Sequence, residues 1–232
     1  MTMHNDKFPY MLQFARDGFS CYISHLDWIR NIQVALDITR LSIVYTEGYS
    51  PKAKMKFSPP LPVGLHSDTE LVLIYLRDNL PEEIIQNEFE HTLPNGISLL
   101  NVRYLYPQPP KNPFQSINGA LYEMYFPMEL NITEKRAILD SFNGQNLYND
   151  APEIIKEQHG WVIKILNPDE FIVTEKHLNY IASLESGRTF HPVKFALALK
   201  EHLNLTHLPH GRRLSFVNIQ PDSARKLFQF ND

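Results

Sequence analysis

Apolar and polar residues alternate along the first half of the chain in a way that predicts short strands separated by amphipathic helices. Residues 8–16 are mainly apolar and end at an Asp-Gly turn, which predicts a strand. Residues 25–39 carry apolar side chains at helical spacing, and Ser24 in front of them is suited to cap the first turn. Residues 53–58 and 69–76 predict two further strands. A helix over residues 81–92 and a strand over residues 97–106 complete this half.

The same order of elements recurs after a proline-rich segment, residues 107–113, which suits neither a helix nor a strand. The second half predicts strands over residues 120–128, 161–165, 171–174, 178–184 and 213–219, and helices over residues 133–142 and 192–203. We therefore predict an α+β fold of two tandem ferredoxin-like halves, each with the order βαββαβ. The predicted halves are residues 1–106 and 118–232, joined by a linker over residues 107–117.

The composition is that of an ordinary globular protein, since 43% of the 232 residues are hydrophobic and 21% are charged. No apolar run approaches the roughly 18 residues that a membrane-spanning helix needs. Residues 1–7 are polar and lack the apolar core of a signal peptide. We therefore expect a soluble, cytoplasmic protein without a membrane partner. The net charge of −4 argues against a dedicated duplex-DNA binder but is compatible with a local basic patch.

Cys21 is the only cysteine in the sequence. A single thiol excludes an internal disulfide and an all-cysteine zinc site. It also excludes an iron–sulfur cluster held by this chain alone, because such a cluster takes about four thiolates, or three with an open site. In its apolar surroundings Cys21 is expected to be a buried structural thiol, and a nucleophile is the alternative.

A basic segment with neighbouring aromatic residues is the first candidate for ligand binding. Lys52, Lys54 and Lys56 are spaced by two, so all three point from one face of the predicted strand. Tyr45 and Tyr49 lie close by in the sequence. Lysines beside exposed aromatic rings suit phosphates and unstacked bases. A solvated lysine face on a half-buried strand explains the same pattern without a ligand.

Further candidates for ligand binding lie at the start of the helix predicted at residue 25. They are Ser24, His25, Asp27 and Arg30. Asp27 and Arg30 are three residues apart on the polar side and can pair, either as a surface pair or to orient a ligand. His25 falls on the apolar side, so a packed histidine and a ligand contact are both open. No metal site is predicted, because no second histidine stands four residues after His25 and the sequence has no HExxH motif.

Glu47 stands directly before Gly48, which predicts a carboxylate beside a turn with positive φ. His25, Asp27 and Glu47 are the candidates for acid–base catalysis, provided that the fold brings them together.

Arg212 and Arg213 form a second basic group, which suits either a polar loop or a phosphate contact from the second half. The sequence has no phosphate-binding loop, dinucleotide fingerprint or nucleophile elbow. No cofactor is therefore predicted.

The motifs of residues 24–64 resemble the radical-SAM-linked domain of unknown function, a bacterial family encoded beside or fused to cobalamin-type radical SAM proteins. The family pattern has Ser-His-Leu-Asp with an arginine three residues on, then Tyr-Ser-Glu-Gly-Phe-Asn-Pro-x-Pro-Lys and Ser-x-x-Leu-Pro-x-Gly. Here the matching stretches are residues 24–30, 45–54 and 58–64, and the resemblance extends over residues 8–106. It implies a radical SAM protein as a partner that supplies the iron–sulfur cluster, and it implies no reaction for this chain.

Three functions are compatible with the sequence. The first is a binding module that recruits a substrate, RNA or a phosphorylated ligand, for a separate radical SAM partner. The second is a metal-independent RNA-processing enzyme in which His25 acts with Tyr45 or Tyr49. The third is a ligand-free protein-interaction domain that docks through residues 59–63. Whether the chain is an enzyme stays open, except that its single cysteine excludes radical SAM chemistry by this chain alone.

Overall fold

A computed structural model describes residues 7–143, 162–166, 168–173, 176–185, 189–220 and 223–227. The chain divides into two compact units, residues 1–115 with 229–232 and residues 116–228. Both units combine antiparallel strands with helices, which confirms the predicted α+β class. No helix in the described ranges has the length and apolar character needed to cross a membrane.

The first unit, within its described residues 7–115, has four strands and two α-helices in the order βαββαβ, with a short 3-10 helix (Gly18–Tyr22) between β1 and α1. They are β1 (Phe8–Arg16), α1 (His25–Ile38), β2 (Met55–Phe57), β3 (His66–Leu76), α2 (Glu82–Phe89) and β4 (Ile97–Tyr104). The strands lie side by side in the order β4-β1-β3-β2, and each neighbouring pair is antiparallel.

The start of α1 is set by Ser24, as the sequence predicts. The Ser24 hydroxyl accepts a hydrogen bond from the backbone N–H of Asp27 at 3.1 Å and donates one to the Asp27 carboxylate at 2.7 Å. This satisfies one of the backbone donors that the first turn of a helix leaves open. Further along the helix, Trp28 and Ile32 are buried, and the Trp28 ring packs edge-on against Phe14 of β1 with 5.5 Å between ring centroids.

Both faces of this sheet carry buried apolar side chains, and alternation along the strands assigns each residue to one of them. Val72 and Ile74 of β3 and Met55 of β2 belong to the apolar core that also contains buried residues of α1 and α2. Because successive side chains of a strand point to opposite faces, Lys54 and Lys56 point away from that core. The predicted lysine face therefore lies on the side of the sheet opposite the helices.

The second unit, within its described residues, has five strands and three helices. They are β5 (Gly119–Tyr125), α3 (Ile132–Asn143), β6 (Val162–Ile165), α4 (Pro168–Val173), β7 (His177–Ser183), α5 (Pro192–His202), β8 (His210–Gln220) and β9 (Ser223–Lys226). The strands lie in the order β9-β8-β5-β7-β6, again with antiparallel neighbours.

An aromatic core covers one face of this second sheet. Tyr122 and Met124 of β5 and Tyr180 of β7 are fully buried, and the two tyrosine rings stack with 5.6 Å between their centroids. Burial raises the pKa of Tyr180 well above its ordinary value, because an ionised phenol would lose its hydration there. Glu123 and Tyr125 alternate with these core residues and therefore point to the opposite face.

The predicted strand over residues 171–174 is wrong, because Phe171 lies in helix α4. A four-residue apolar run does not distinguish a strand from one buried turn of helix. Pro168 occupies the first position of the helix, where its missing N–H has no cost. Phe171 is buried against Phe126, with 5.3 Å between ring centroids. Trp161 and Thr174, which the predicted strands included, lie outside the described residues.

Strand β9 was not predicted, and with α4 it distinguishes the second unit from the first. The tandem repetition of one ferredoxin-like arrangement in both halves stays a prediction.

Candidate functional site

Lys54 lies among positive charges on the sheet face away from the helices. Its ammonium group is 5.0 Å from the centroid of the Tyr75 ring, a cation–π distance. Partial burial lowers the pKa of Lys54, and the charges of Lys7 and Lys56 lower it further, against the opposing charge of Glu47. Lys7, Lys54 and Lys56 are called the lysine cluster below.

Among the residues that the structure describes, ion pairing does not balance the positive charge of the lysine cluster. Neither its three members nor Lys52 forms an ion pair within the described part of the chain. Ammonium groups held together repel one another, and an anion that bridges them removes that repulsion. Phosphate, with several acceptor oxygens, is such an anion.

Sequence reasoning missed Lys7, which completes the cluster. Lys7 directly precedes β1, far from β2 in the sequence, and the pairing of both strands with β3 brings it near Lys54. A lysine beside a strand is too common a feature to have identified it from the sequence.

The loop before β2 presents Glu47 and Tyr49 to solvent. Its ends are joined, because the backbone N–H of Thr46 donates to the Lys52 carbonyl at 2.8 Å and the Lys52 N–H donates to the Thr46 hydroxyl at 3.0 Å. Gly48 has φ +127°, which confirms the positive φ predicted there. Tyr49 is fully exposed at the loop tip and offers both ring faces to solvent.

Tyr45 lies on the other side of the sheet from the lysine cluster. It pairs with Ala53, which packs against the helix-covered core, and directly opposed residues share a face. Its hydroxyl donates a long hydrogen bond, 3.4 Å, to Asp37 of α1. The structure therefore separates Tyr45 from Lys54 and Lys56, which the sequence had placed beside it.

The predicted residues at the start of α1 form a local group of their own. Arg30 donates to Asp27 at 3.2 Å, and both side chains are more than half exposed. Since Asp27 also takes part in the Ser24 cap, its carboxylate has a structural role. The ring of His25 packs edge-on against Phe57 of β2, with 6.4 Å between centroids.

The three candidates for acid–base catalysis do not form one contact network through Glu47. Among the described residues, Glu47 makes no hydrogen bond to His25 or Asp27. Nor, within the same ranges, are three or more His, Cys, Asp or Glu side chains grouped so as to hold a metal ion.

Arg212 and Arg213 of β8 point to opposite faces of the second sheet. Arg213 is fully buried, with its guanidinium 4.4 Å from the centroid of the Phe216 ring, so it is not a surface contact. Arg212 is half-buried and lies directly opposite Glu123 of β5.

Cys21 is buried, in agreement with the expected structural thiol. Its Sγ is 3.2 Å from Nδ1 of His66, and the same nitrogen is 3.1 Å from a carboxylate oxygen of Asp17. A catalytic triad needs its two partners on different imidazole nitrogens. The arrangement is therefore a structural contact between β3 and the turn after β1. Sequence reasoning did not identify His66 or Asp17 as its members.

A crevice of about 640 Å³ lies between α2 and β4, and its lining includes Glu83, Glu90, Asn95 and Gly96. None of the residues predicted to bind a ligand lines it. The candidate site of the first unit is therefore the lysine cluster and not this crevice.

A family model described as an uncharacterized protein conserved in bacteria, DUF2344, matches residues 9–182. No curated protein matches the sequence. A crystal structure of an unknown protein from Galdieria sulphuraria is similar over 96% of this chain and 100% of its own length, at 12% identity and a TM-score of 0.26. A likeness at that TM-score carries no argument about fold or function.

Proposed function

Because the chain belongs to the bacterial family DUF2344, whose description names no activity, we propose a function from the candidate site itself. The first unit is a binding module that holds the phosphates of a single-stranded RNA segment on the lysine cluster. In line with the resemblance of residues 24–64, the module recruits that substrate for a separate radical SAM partner.

The observation that supports RNA binding is that the lysine cluster forms no ion pair with a carboxylate among the described residues. The charges of Lys7 and Lys56 lower the pKa of Lys54, as expected for ammonium groups that lie close together. A row of phosphates spaced along a nucleic-acid backbone neutralises such a group, and the release of counterions from the nucleic acid adds to the binding free energy.

An exposed aromatic residue near the lysines favours RNA over an isolated phosphate. Tyr49 stands at the tip of the loop that Lys52 closes, and its ring is fully exposed. A base of a single strand can stack on such a ring, which contributes about 1–3 kcal/mol per base in single-strand-binding proteins. A single strand leaves its bases unstacked for this contact, whereas a duplex does not.

Binding of a labelled single-stranded RNA of mixed sequence, followed by fluorescence anisotropy at several salt concentrations, tests the proposal. Lys54→Gln/Lys56→Gln should weaken binding by at least about 10-fold and reduce the slope of log K against log salt by about 1.4, two contacts at roughly 0.7 each. The matched control is Lys194→Gln/Lys200→Gln on α5, which removes the same charge elsewhere and should bind like the parent protein.

Binding that does not depend on salt, or a cluster variant that binds like the parent protein, would contradict the proposal. A nucleoside triphosphate that competes as strongly as the RNA would show that a small phosphorylated ligand occupies the site instead. Tyr49→Ala extends the test, because loss of a stacked base should weaken RNA binding without changing the salt slope.

The radical SAM partner rests on the resemblance alone, and it has its own test. The tagged protein, expressed in a bacterium that encodes both proteins, should retain a radical SAM protein during purification under anaerobic conditions. Retention that persists after nuclease treatment supports a direct contact, and the absence of any such protein from the purified material argues against this partner.

A further inference from the structure

The second unit carries a group of acid–base side chains on the sheet face opposite its aromatic core. Glu123 and Tyr125 of β5 point to this face, and residues directly opposite them on β7 and β8 share it. The six residues form two rows across the three strands: His177, Tyr125 and His210 in one, and Asn179, Glu123 and Arg212 in the other. These six residues are called the acid–base face below.

Two contacts organise the acid–base face. Nδ1 of His177 lies 3.0 Å from a carboxylate oxygen of Glu123, and the His177 ring packs against Tyr125 with 4.9 Å between centroids. The His177 side chain is 44% exposed, so a substrate can reach it. At this ion-pair distance the carboxylate faces Nδ1, and the other nitrogen, Nε2, is the one that accepts a proton.

We propose that the acid–base face cleaves RNA by transesterification. His177 accepts the proton of a ribose 2′-hydroxyl, whose oxygen forms a new bond to the adjacent phosphorus. The bond from phosphorus to the 5′-oxygen breaks, and His210 donates a proton to that oxygen. The products are a 2′,3′-cyclic phosphate and a 5′-hydroxyl, so the step consumes no water, oxidant or reductant.

The spacing of the strands suits this division of roles. β7 and β8 flank β5 at about 4.8 Å each, which places the backbones at His177 and His210 about 10 Å apart, and in the proposed complex the phosphate lies over the Tyr125 ring between them. Base and acid then approach the phosphorus from opposite sides, as an in-line displacement requires. Arg212 in the adjacent row directs positive charge to the phosphate oxygens. Glu123 is a positioning residue that acts through His177.

The substrate class follows from the same groups. Two imidazoles and a guanidinium supply proton transfer and charge, whereas the nucleophile comes from the substrate as its 2′-hydroxyl. DNA lacks this hydroxyl and should not be cleaved. The inference goes beyond the binding proposed for the first unit and is measured by a different readout.

The test incubates the full-length protein with a labelled single-stranded RNA in EDTA and analyses the products. We expect RNA cleavage with cyclic-phosphate ends and no cleavage of DNA of the same sequence. His177→Asn and His210→Asn should each lower kcat by at least about 100-fold, the contribution of a general acid or base. His207→Asn is the matched control, since His207 is an exposed histidine outside the acid–base face and should be dispensable.

Glu123 is tested by a pair of substitutions. Glu123→Gln should lower kcat with little change in KM, and Glu123→Asp, which keeps the carboxylate, should restore part of the activity. Thermal unfolding of each variant shows whether it is folded, and the exposed position of His210 makes His210→Asn the variant most readily tolerated.

Absence of cleavage by the folded parent protein, cleavage that EDTA abolishes, or full activity of both histidine variants would overturn the inference. None of these results affects the anisotropy experiment on the lysine cluster, so the two proposals fail separately.

Discussion

The lysine cluster of the first unit and the acid–base face of the second differ in how their charges are arranged, although both lie on a sheet face opposite an apolar core. Lys54 has positive neighbours and no ion pair within the described residues. Glu123, by contrast, contacts His177 and lies opposite Arg212. Charge of one sign suits the binding of an anion, whereas paired groups of opposite sign suit proton transfer. The same sheet geometry therefore supports two chemistries.

The largest expected effect tests whether the helix-covered core of the first unit contributes more stability than the charged groups of the lysine cluster and the acid–base face. Phe14 is fully buried and packs against Trp28 and Phe89. Phe14→Ala should lower the free energy of unfolding by about 3–5 kcal/mol, because it leaves a cavity at the centre of the first core. Urea denaturation measures this loss of unfolding free energy.

The matched substitution on the acid–base face is Glu123→Gln, whose side chain is 26% exposed and whose partner His177 is 44% exposed. It should lower the free energy of unfolding by less than about 1 kcal/mol, since partly exposed ion pairs are weak. A loss as large as that of Phe14→Ala would show that the acid–base face is a stabilising surface, and the comparison would then fail.

An intermediate effect is expected for Tyr10 on the core side of β1. Its hydroxyl donates to the Leu80 carbonyl at 2.7 Å and accepts from the Leu80 N–H at 2.8 Å. Tyr10→Phe should lower the free energy of unfolding by about 1–2 kcal/mol, because it leaves the backbone N–H and carbonyl of Leu80 without their partner. Tyr45→Phe is the control, since its long, exposed bond to Asp37 should contribute little.

The contribution of Tyr10 to the free energy of unfolding should also depend on pH. Burial raises the pKa of Tyr10 above its ordinary value of 10.0, with a smaller opposing effect of the Leu80 hydrogen bond. A folded-state pKa above the unfolded value means that this contribution is fully present below about pH 10 and is lost as pH rises through the folded-state pKa. Tyr10→Phe should therefore destabilise less in strongly alkaline solution, and a constant difference would contradict this assignment.

The smallest expected change in the free energy of unfolding concerns one lysine from each unit, Lys54 in the first and Lys176 in the second. Burial and the neighbouring lysines lower the pKa of Lys54, whereas a hydrogen bond from Lys176 to Glu129 raises that of Lys176. At neutral pH, Lys54→Gln should stabilise the protein by less than about 1 kcal/mol, because solvent screens the repulsion that it removes. Lys176→Gln should instead destabilise it slightly.

The two lysine effects should fade in different ways as pH rises. A lowered pKa means that the cost of charged Lys54 disappears between its folded-state pKa and the unfolded value of 10.5. The contribution of Lys176 is present below 10.5 and is lost as pH rises through its raised pKa. Calorimetric unfolding at neutral and alkaline pH measures both, and the same sign for the two variants would contradict the contrast between the units.

Local signals in the sequence were sufficient where neighbouring residues decide the geometry. Ser24 caps α1 because its hydroxyl needs to reach only Asp27, three residues on. Lys54 and Lys56 share a face because alternation is a property of a single strand. Gly48 adopts a positive φ because a residue without a side chain allows it at little cost. Residues 171–174 were predicted wrongly, because an apolar run that short carries no periodicity.

The sequence by itself therefore determined the α+β class, most of the elements and the lysine face of β2. Only the tertiary structure decided that Lys7 joins Lys54 and Lys56, that Tyr45 lies across the sheet from them, and that His177 contacts Glu123. The physical reason is that strand register and strand order bring together residues distant in the sequence, and a shift of one residue would turn every side chain to the other face. Spacing along one strand reports the face of a side chain but not its neighbours on the next strand.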